Sequence, residues 1–193
     1  MKKRDKFAIA AVLALGLLTS CSSFSNDVPI ASSLTNVLTE ELGKPIKDGS
    51  FTTEYNSKIK NRTHNLELAV KSLDGATIRP GEVLSFNETL GPITKEAGYK
   101  PAKIFVKGKE LEGIGGGVCQ VSSTLYNAAD YAGLEIVERH AHSRRVYYVE
   151  KGRDAATSYG GVDLKVKNTL PHPIKVQATA KDGKLTVSLL EGF

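Results

Sequence analysis

Cysteine is nearly absent: the 193 residues include two, Cys21 and Cys119. So small a number excludes a disulfide-stapled scaffold, and a chain of this length has enough residues to bury a core without one. Basic blocks are missing too, as are aromatics interleaved with arginine, so nothing points to nucleic acid. There is no internal repeat, no low-complexity tract and no second apolar run that could span a bilayer.

What stands at the N-terminus reads as an export leader. Lys2, Lys3, Arg4 and Lys6 form a basic head, and Phe7 to Leu18 an apolar run too short to span as a helix. Leu18-Thr19-Ser20-Cys21 then sets small residues before a cysteine, the pattern of a bacterial lipoprotein signal. Residues 1–20 are thus expected to be a signal peptide, with Cys21 lipidated as the first mature residue. Several acyl chains there would anchor the protein firmly to a membrane. The leader carries four of the 26 basic residues and one of the 21 acidic ones, leaving 22 and 20, so the high pI is largely a targeting effect.

Residues 21–48 read as a tether, polar from Ser22 to Ser33 with a short helix over Leu34–Leu42, and residues 49–193 as one domain. Asn61 to Leu73 has helical periodicity with Leu66, Ala69, Val70 and Leu73 inward. Strands are expected at Val83–Phe86, Lys103–Val106, Leu134–Arg139 and Val146–Val149. Another is expected where Val162, Leu164 and Val166 alternate with Asp163, Lys165 and Lys167. Asp182-Gly183 should turn a hairpin that pairs Ile174, Val176 and Ala178 with Leu185, Val187 and Leu189. Helices early and antiparallel strands late give an α+β class, with a cysteine-bearing helix on a mainly antiparallel sheet.

That helix follows Gly113-Ile114-Gly115-Gly116-Gly117-Val118-Cys119-Gln120. Val121, Leu125, Ala128 and Ala132 mark its inner face, and Gly133 ends it. Cys119 falls in the first turn, where free N–H groups and the helix dipole lower a thiol's pKa. With Cys21 lipidated, Cys119 is a lone exported thiol, an oxidation hazard unless buried or used. A nucleophilic thiol needs a base and an orienter. His140 and His142, two apart in an extended segment, share a face and could both reach one site, with Asp154 or Asp163 as the acid. Asp163 alternates with two lysines, which favours solvated pairing. His64 and His172 read as surface residues, and Arg145 and Arg153 as candidate carboxylate binders. Cys119, His140 and His142 could instead hold zinc, but they offer three ligands with no second cysteine and no His-Glu helical motif; no metal and no cofactor is expected.

Several blocks resemble successive signatures of the VanW domain family. They are Phe51-Thr52-Thr53, Arg79-Pro80-Gly81-Glu82-Val83-Leu84-Ser85-Phe86-Asn87, Gly91-Pro92 and Gly98-Tyr99. The others are Gly115 through Asn127 and Gly152-Arg153-Asp154-Ala155. The resemblance covers roughly residues 50 to 178. It implies an exported or membrane-tethered protein linked to glycopeptide resistance and to L,D-transpeptidation, the cysteine-dependent formation of 3–3 cross-links in peptidoglycan. Carried over, Cys119 is the nucleophile, His142 the base and Asp154 its orienter, with His140 and Asp163 as alternatives. Gly116, Gly117 and Gln120 are expected around the oxyanion, and Ser122, Tyr126 and Arg153 at the substrate. The expected partners are peptidoglycan stem peptides and, through Cys21, a membrane. The rival expectation is a non-catalytic envelope protein binding the same peptides. Arg144-Arg145 replaces an aromatic-proline pair expected after His142.

Overall fold

The computed structural model describes residues 44–106 and 108–191; the leader, Cys21 and the expected Leu34–Leu42 helix lie outside them. Twelve elements follow one another: β1 (Lys44–Glu54), α1 (Lys60–Leu73), β2 (Thr77–Ile78), β3 (Val83–Ser85), α2 (Phe86–Leu90), β4 (Pro101–Val106), β5 (Lys109–Ile114), α3 (Val118–Tyr131), β6 (Glu135–Glu138), β7 (Lys165–Lys167), β8 (Ile174–Lys181) and β9 (Lys184–Glu191). The strands form three antiparallel sheets, ordered β1-β9-β8-β2, β3-β7-β6 and β4-β5. This is the α+β arrangement that the sequence predicts.

The β8–β9 hairpin forms as its alternation requires. Asp182 (φ 52°) and Gly183 (φ 77°) make the two-residue turn, and Val176 pairs with Leu189 and Ala178 with Val187. Both turn residues have positive φ, the geometry that matches the strand twist. The buried side of this sheet receives both long helices: α1 lies on β8, and α3 on β1 and β9. Leu66, Ala69 and Leu73 from α1 meet Val121, Leu125 and Ala128 from α3 and Ile174, Val176, Leu185, Val187 and Leu189 from the sheet, all fully buried. Truncating Leu125 to alanine at the centre of this layer would cost about 2–5 kcal/mol, because the packed surround relaxes only partly.

Four expectations need correction. The first strand starts at Lys44, within the stretch read as tether, with a register shift between Pro45 and Ser50. Val146–Val149 forms no strand: Val146 is buried while Tyr147 is 88 % exposed, and the segment has no ladder partner. Beyond it, β7 begins only at Lys165, so the inward–outward alternation breaks before it. Val162 is exposed and Asp163 is buried, the reverse of the expected faces. Three hydrogen-bond donors turn Asp163 inward: the Ser85 hydroxyl and the Asn87 and Leu164 N–H groups. Phe86 also opens α2 rather than ending β3, because the Ser85 hydroxyl caps the new helix through the Glu88 N–H.

Candidate active site

The site is built from the N-terminus of α3. Gly117 precedes the helix with φ 113°, a conformation that a side chain would strain. A Cβ on Gly116 would lie 2.5 Å from the Lys103 carbonyl oxygen, so β4 can approach only glycine there. The Asn65 amide fixes this arrangement from α1, donating to the Lys100 and Gly116 carbonyls and accepting the Lys100 N–H. The glycine run is thus required by the protein's own close packing, although it also lines the cleft.

On α3, Cys119, Ser122, Ser123 and Asn127 recur at helical spacing and make a polar stripe. Apart from the half-buried Cys119, this stripe is buried because it clasps the chain after Gly152. The Asn127 amide donates to the Arg153 carbonyl, Ser122 Oγ to that of Ala155 at 2.7 Å, and the Ala155 N–H to Ser123 Oγ at 2.9 Å. The clasp delivers Asp154 and Thr157 to the thiol. Cys119 Sγ lies 3.4 Å from the Thr157 carbonyl oxygen and 3.9 Å from its hydroxyl.

Asp154 holds His142 twice. Its Oδ2 accepts the His142 N–H at 2.7 Å and Nδ1 at 2.6 Å, and its Oδ1 accepts Arg139 Nη2 at 3.2 Å. With Nδ1 committed as donor, Nε2 is the ring nitrogen left for the thiol. Burial by itself pushes the Cys119 thiol up, but the hydrogen bond and the charge of His142 help bring it below its ordinary value. Burial likewise lowers His142, and its contacts with Cys119 and Asp154 carry it above its ordinary value. The Asp154 carboxyl, raised by burial, ends below the usual range because the His142 backbone and ring both donate to it. These are the directions that a thiolate–imidazolium pair backed by a carboxylate requires.

A cleft of about 390 Å³ opens over Sγ, between the α3 start, β4–β5, α2 and the His142–Tyr159 segment. Three residues of this site carry no signal in the sequence. Arg62, an isolated arginine on α1, donates through Nη2 to Gln120 Oε1 at 2.6 Å. Tyr148 donates its hydroxyl to the Cys119 carbonyl at 3.3 Å, and burial raises its pKa. Thr157 belongs to a segment with no periodicity.

The structure separates other expected site residues from the cleft. His140 turns to Glu138 Oε1 at 3.0 Å and is 44 % exposed, so it does not converge with Cys119 and His142. Among the described residues, no cluster of three or more histidine, cysteine or acidic side chains is arranged to hold a metal. Asp163, with its donors from Ser85, Asn87 and Leu164, braces β3 and α2 instead of a histidine. Ser122 serves the clasp, while Tyr126 lies beneath the guanidinium groups of Arg139 and Arg153. Arg153 is committed to Asn127 Oδ1 and Asp130 Oδ2, each at 2.7 Å, so it is a strut and not a cleft residue. Gln120 lines the cleft, but its Nε2 donates to Thr53 Oγ1 and the Glu54 carbonyl and its backbone N–H to the Gly117 carbonyl, leaving neither for an oxyanion. His64 meets the Gly98 carbonyl and His172 pairs with Glu191, both far in sequence from this constellation.

Comparison with known proteins agrees with this chain of blocks. The chain is 44 % identical over 156 residues to the uncharacterized protein YoaR of Bacillus subtilis (strain 168), covering 81 % of this chain and 50 % of YoaR. It is 34 % identical over 131 residues to the vancomycin B-type resistance protein VanW of Enterococcus faecalis (strain ATCC 700802 / V583), covering 65 % of this chain and 48 % of that protein. The chain thus spans about half the length of each relative. No solved structure matches it significantly. The profile described as VanW like protein matches residues 61–190, which include all of α3 and all but the first residue of α1, with Cys119, His142 and Asp154, and the chain belongs to that family.

Proposed function

We propose that this protein is a cysteine acyltransferase of the bacterial cell envelope, an L,D-transpeptidase that forms 3–3 cross-links between peptidoglycan stem peptides. The observation that carries the proposal is the buried Asp154 carboxylate bonded to His142 Nδ1 at 2.6 Å, beside a thiol at a helix start. The likeness to a vancomycin B-type resistance protein supports a cell-wall setting. The basic head and Leu18-Thr19-Ser20-Cys21 support export and attachment through a lipidated Cys21.

In this reading the Cys119 thiolate attacks the carbonyl joining residues three and four of a donor stem. The His142 imidazolium then gives its proton to the departing amine, and a D-amino acid leaves a thioester on Sγ. The side-chain amine of an acceptor stem attacks the thioester, His142 takes its proton, and the thiolate is restored. Water in place of the amine gives L,D-carboxypeptidase activity from the same residues. The tetrahedral oxyanion needs donors outside the committed Gln120 amide; the Tyr148 O–H is given to the Cys119 carbonyl, whereas the Arg62 guanidinium lines the cleft with N–H groups beyond the one on Gln120.

Mass spectrometry of muropeptides incubated with wild-type and Cys119→Ala protein tests this. Cross-linked or trimmed products should form only with the wild type; turnover undiminished in Cys119→Ala would sink the proposal. The rival reading, a stem-peptide binder without chemistry, draws on the Thr157 carbonyl 3.4 Å from Sγ, an acceptor suited to a neutral thiol. It requires a Cys119 that alkylates only after denaturation.

A further inference from the structure

The cleft has an uneven charge. Arg62, Lys103 and His142 line it, and no aspartate or glutamate does. Lys103 is already matched by Glu110 at 2.6 Å. Arg62 has no carboxylate partner among the described residues, and its hydrogen bond goes to the neutral Gln120 Oε1. A guanidinium carries five N–H donors, so this bond leaves most of the fork free for a bidentate acceptor.

The fork is held in place from both ends. Gln120 is anchored by Thr53 and the Glu54 carbonyl. The Arg62 stem passes so close to Gly117 that a Cβ there would meet Arg62 Cγ at 3.0 Å. The guanidinium therefore sits against the first turn of α3, bound to the residue that follows Cys119. A peptide advances about 3.3–3.6 Å per residue. Arg62 and Cys119 line the same cleft, so a carboxylate one residue beyond a carbonyl attacked by Sγ enters the space that Arg62 borders.

Resting on the transpeptidase reading, we infer that Arg62 receives the free α-carboxylate of the fourth stem residue and so selects donor stems that end one residue beyond the scissile carbonyl. Stems that continue past that residue, or end in an amide, lose the bidentate charged contact. Arg62 thus acts as a specificity-determining residue, and its charge meets the leaving portion of the donor.

Two measurements test this separately from turnover. The first compares alkylation of Cys119 by anionic iodoacetate and neutral iodoacetamide. Relative to a small thiol in solution, the wild type should favour iodoacetate, and Arg62→Met should reduce that preference on the order of tenfold. A role confined to stabilising the thiolate would scale both rates together, so an unchanged ratio overturns the inference. The second measures binding of a tetrapeptide stem, free acid against C-terminal amide, to Cys119→Ala protein by calorimetry. The free acid should bind on the order of tenfold more tightly. Equal affinities, or binding of neither, overturn the inference. Arg62→Lys, which keeps the charge and stem, should retain part of both preferences and guards against a folding defect in the methionine variant. Preserved carboxylate preference without muropeptide turnover would remove the transpeptidase reading and leave Arg62 a recognition residue.

Discussion

Asp154 and Asp163 lie nine residues apart, both nearly buried, at 7 % and 5 % exposed, and both saturated with hydrogen bonds. Each accepts a backbone N–H from a distant segment: Asp154 from His142 and Asp163 from Asn87. Their other donors differ. Asp154 meets an imidazole and a guanidinium, whereas Asp163 meets a serine hydroxyl and the Leu164 amide. A hydroxyl and an amide do not change charge near neutral pH, so Asp163 can brace but not tune. The imidazole does change, and it shares the cleft with the Cys119 thiol, so in the proposed mechanism the same carboxylate orients the base. What a buried acid does here depends on the donor it receives, not on burial.

Substituting Asp154 should break this comparison most sharply. Asp154→Asn preserves shape but can offer an N–H where His142 needs an acceptor, favouring the wrong tautomer. We expect muropeptide turnover to fall on the order of a thousandfold to ten-thousandfold, as for an orienting acid in other triads. The fold should survive, since the clasp of Ser122, Ser123 and Asn127 reads the backbone around Asp154 and not its carboxylate. The stability difference should depend on pH. Asp154 is depressed in the folded protein, so its stabilisation is present above the ordinary value of 3.8 and is lost as pH falls through its folded value. Denaturation of wild type and Asp154→Asn should therefore converge in acid. A gap that persists unchanged would mean the carboxylate charge contributes nothing.

The thiol should respond next. His142 holds Cys119 below its ordinary value of 9.0 against the upward push of burial. Removing the imidazole in His142→Asn leaves burial dominant, so the inflection in the iodoacetamide rate should move up in pH. Each unit of that shift reduces the thiolate fraction at neutral pH about tenfold. A coincident pH profile for the two proteins would mean that no ion pair forms. The linked His142 stability has the opposite pH sign to that of Asp154. It is present below the ordinary value of 6.5 and is lost as pH rises through the raised folded value.

Asp163→Asn should invert the pattern. Ser85 and two backbone N–H groups would face a neutral amide, and the loss in stability should be about 1–3 kcal/mol by chemical denaturation. Turnover per folded molecule should stay close to that of the wild type, because Asp163 touches neither Cys119 nor His142. A large loss of turnover without loss of stability would return Asp163 to the site.

The sequence made the scaffold far more legible than the site's second half. Helical spacing and the Asp182-Gly183 turn state directly where Leu66, Leu125, Val176, Leu185, Val187 and Leu189 must pack. These are local signals reinforced by a single buried face. The polar stripe of α3 is also periodic, yet its meaning depends on a segment with no period, from His140 to Leu164. Alternation across Val162–Lys167 misled because three hydrogen-bond donors outweigh the hydrophobic pattern at Asp163. Family resemblance, not periodicity, distinguished His142 from His140. Arg62 was invisible because its partner Gln120 lies 58 residues away and only the tertiary fold brings them together.

His140 provides the smallest and most discriminating expected effect. It shares an extended segment with His142, and spacing alone gives both the same reach. The structure gives them different partners: His142 is 9 % exposed against Asp154, and His140 is 44 % exposed against Glu138. Glu138 is also bonded to Lys165 and the Asp163 N–H, which help hold its carboxyl down at about 2. Replacing His140 by glutamine therefore removes one partner of an acid that keeps two others. An exposed pair of this kind contributes little to stability. Turnover should remain within about twofold of wild type, because a base needs hydrogen-bond reach of the proton it moves and His140 lacks it. If His140→Gln instead abolished turnover while His142→Asn did not, the assignment of the base would be reversed and Asp154 would lose its role as orienter.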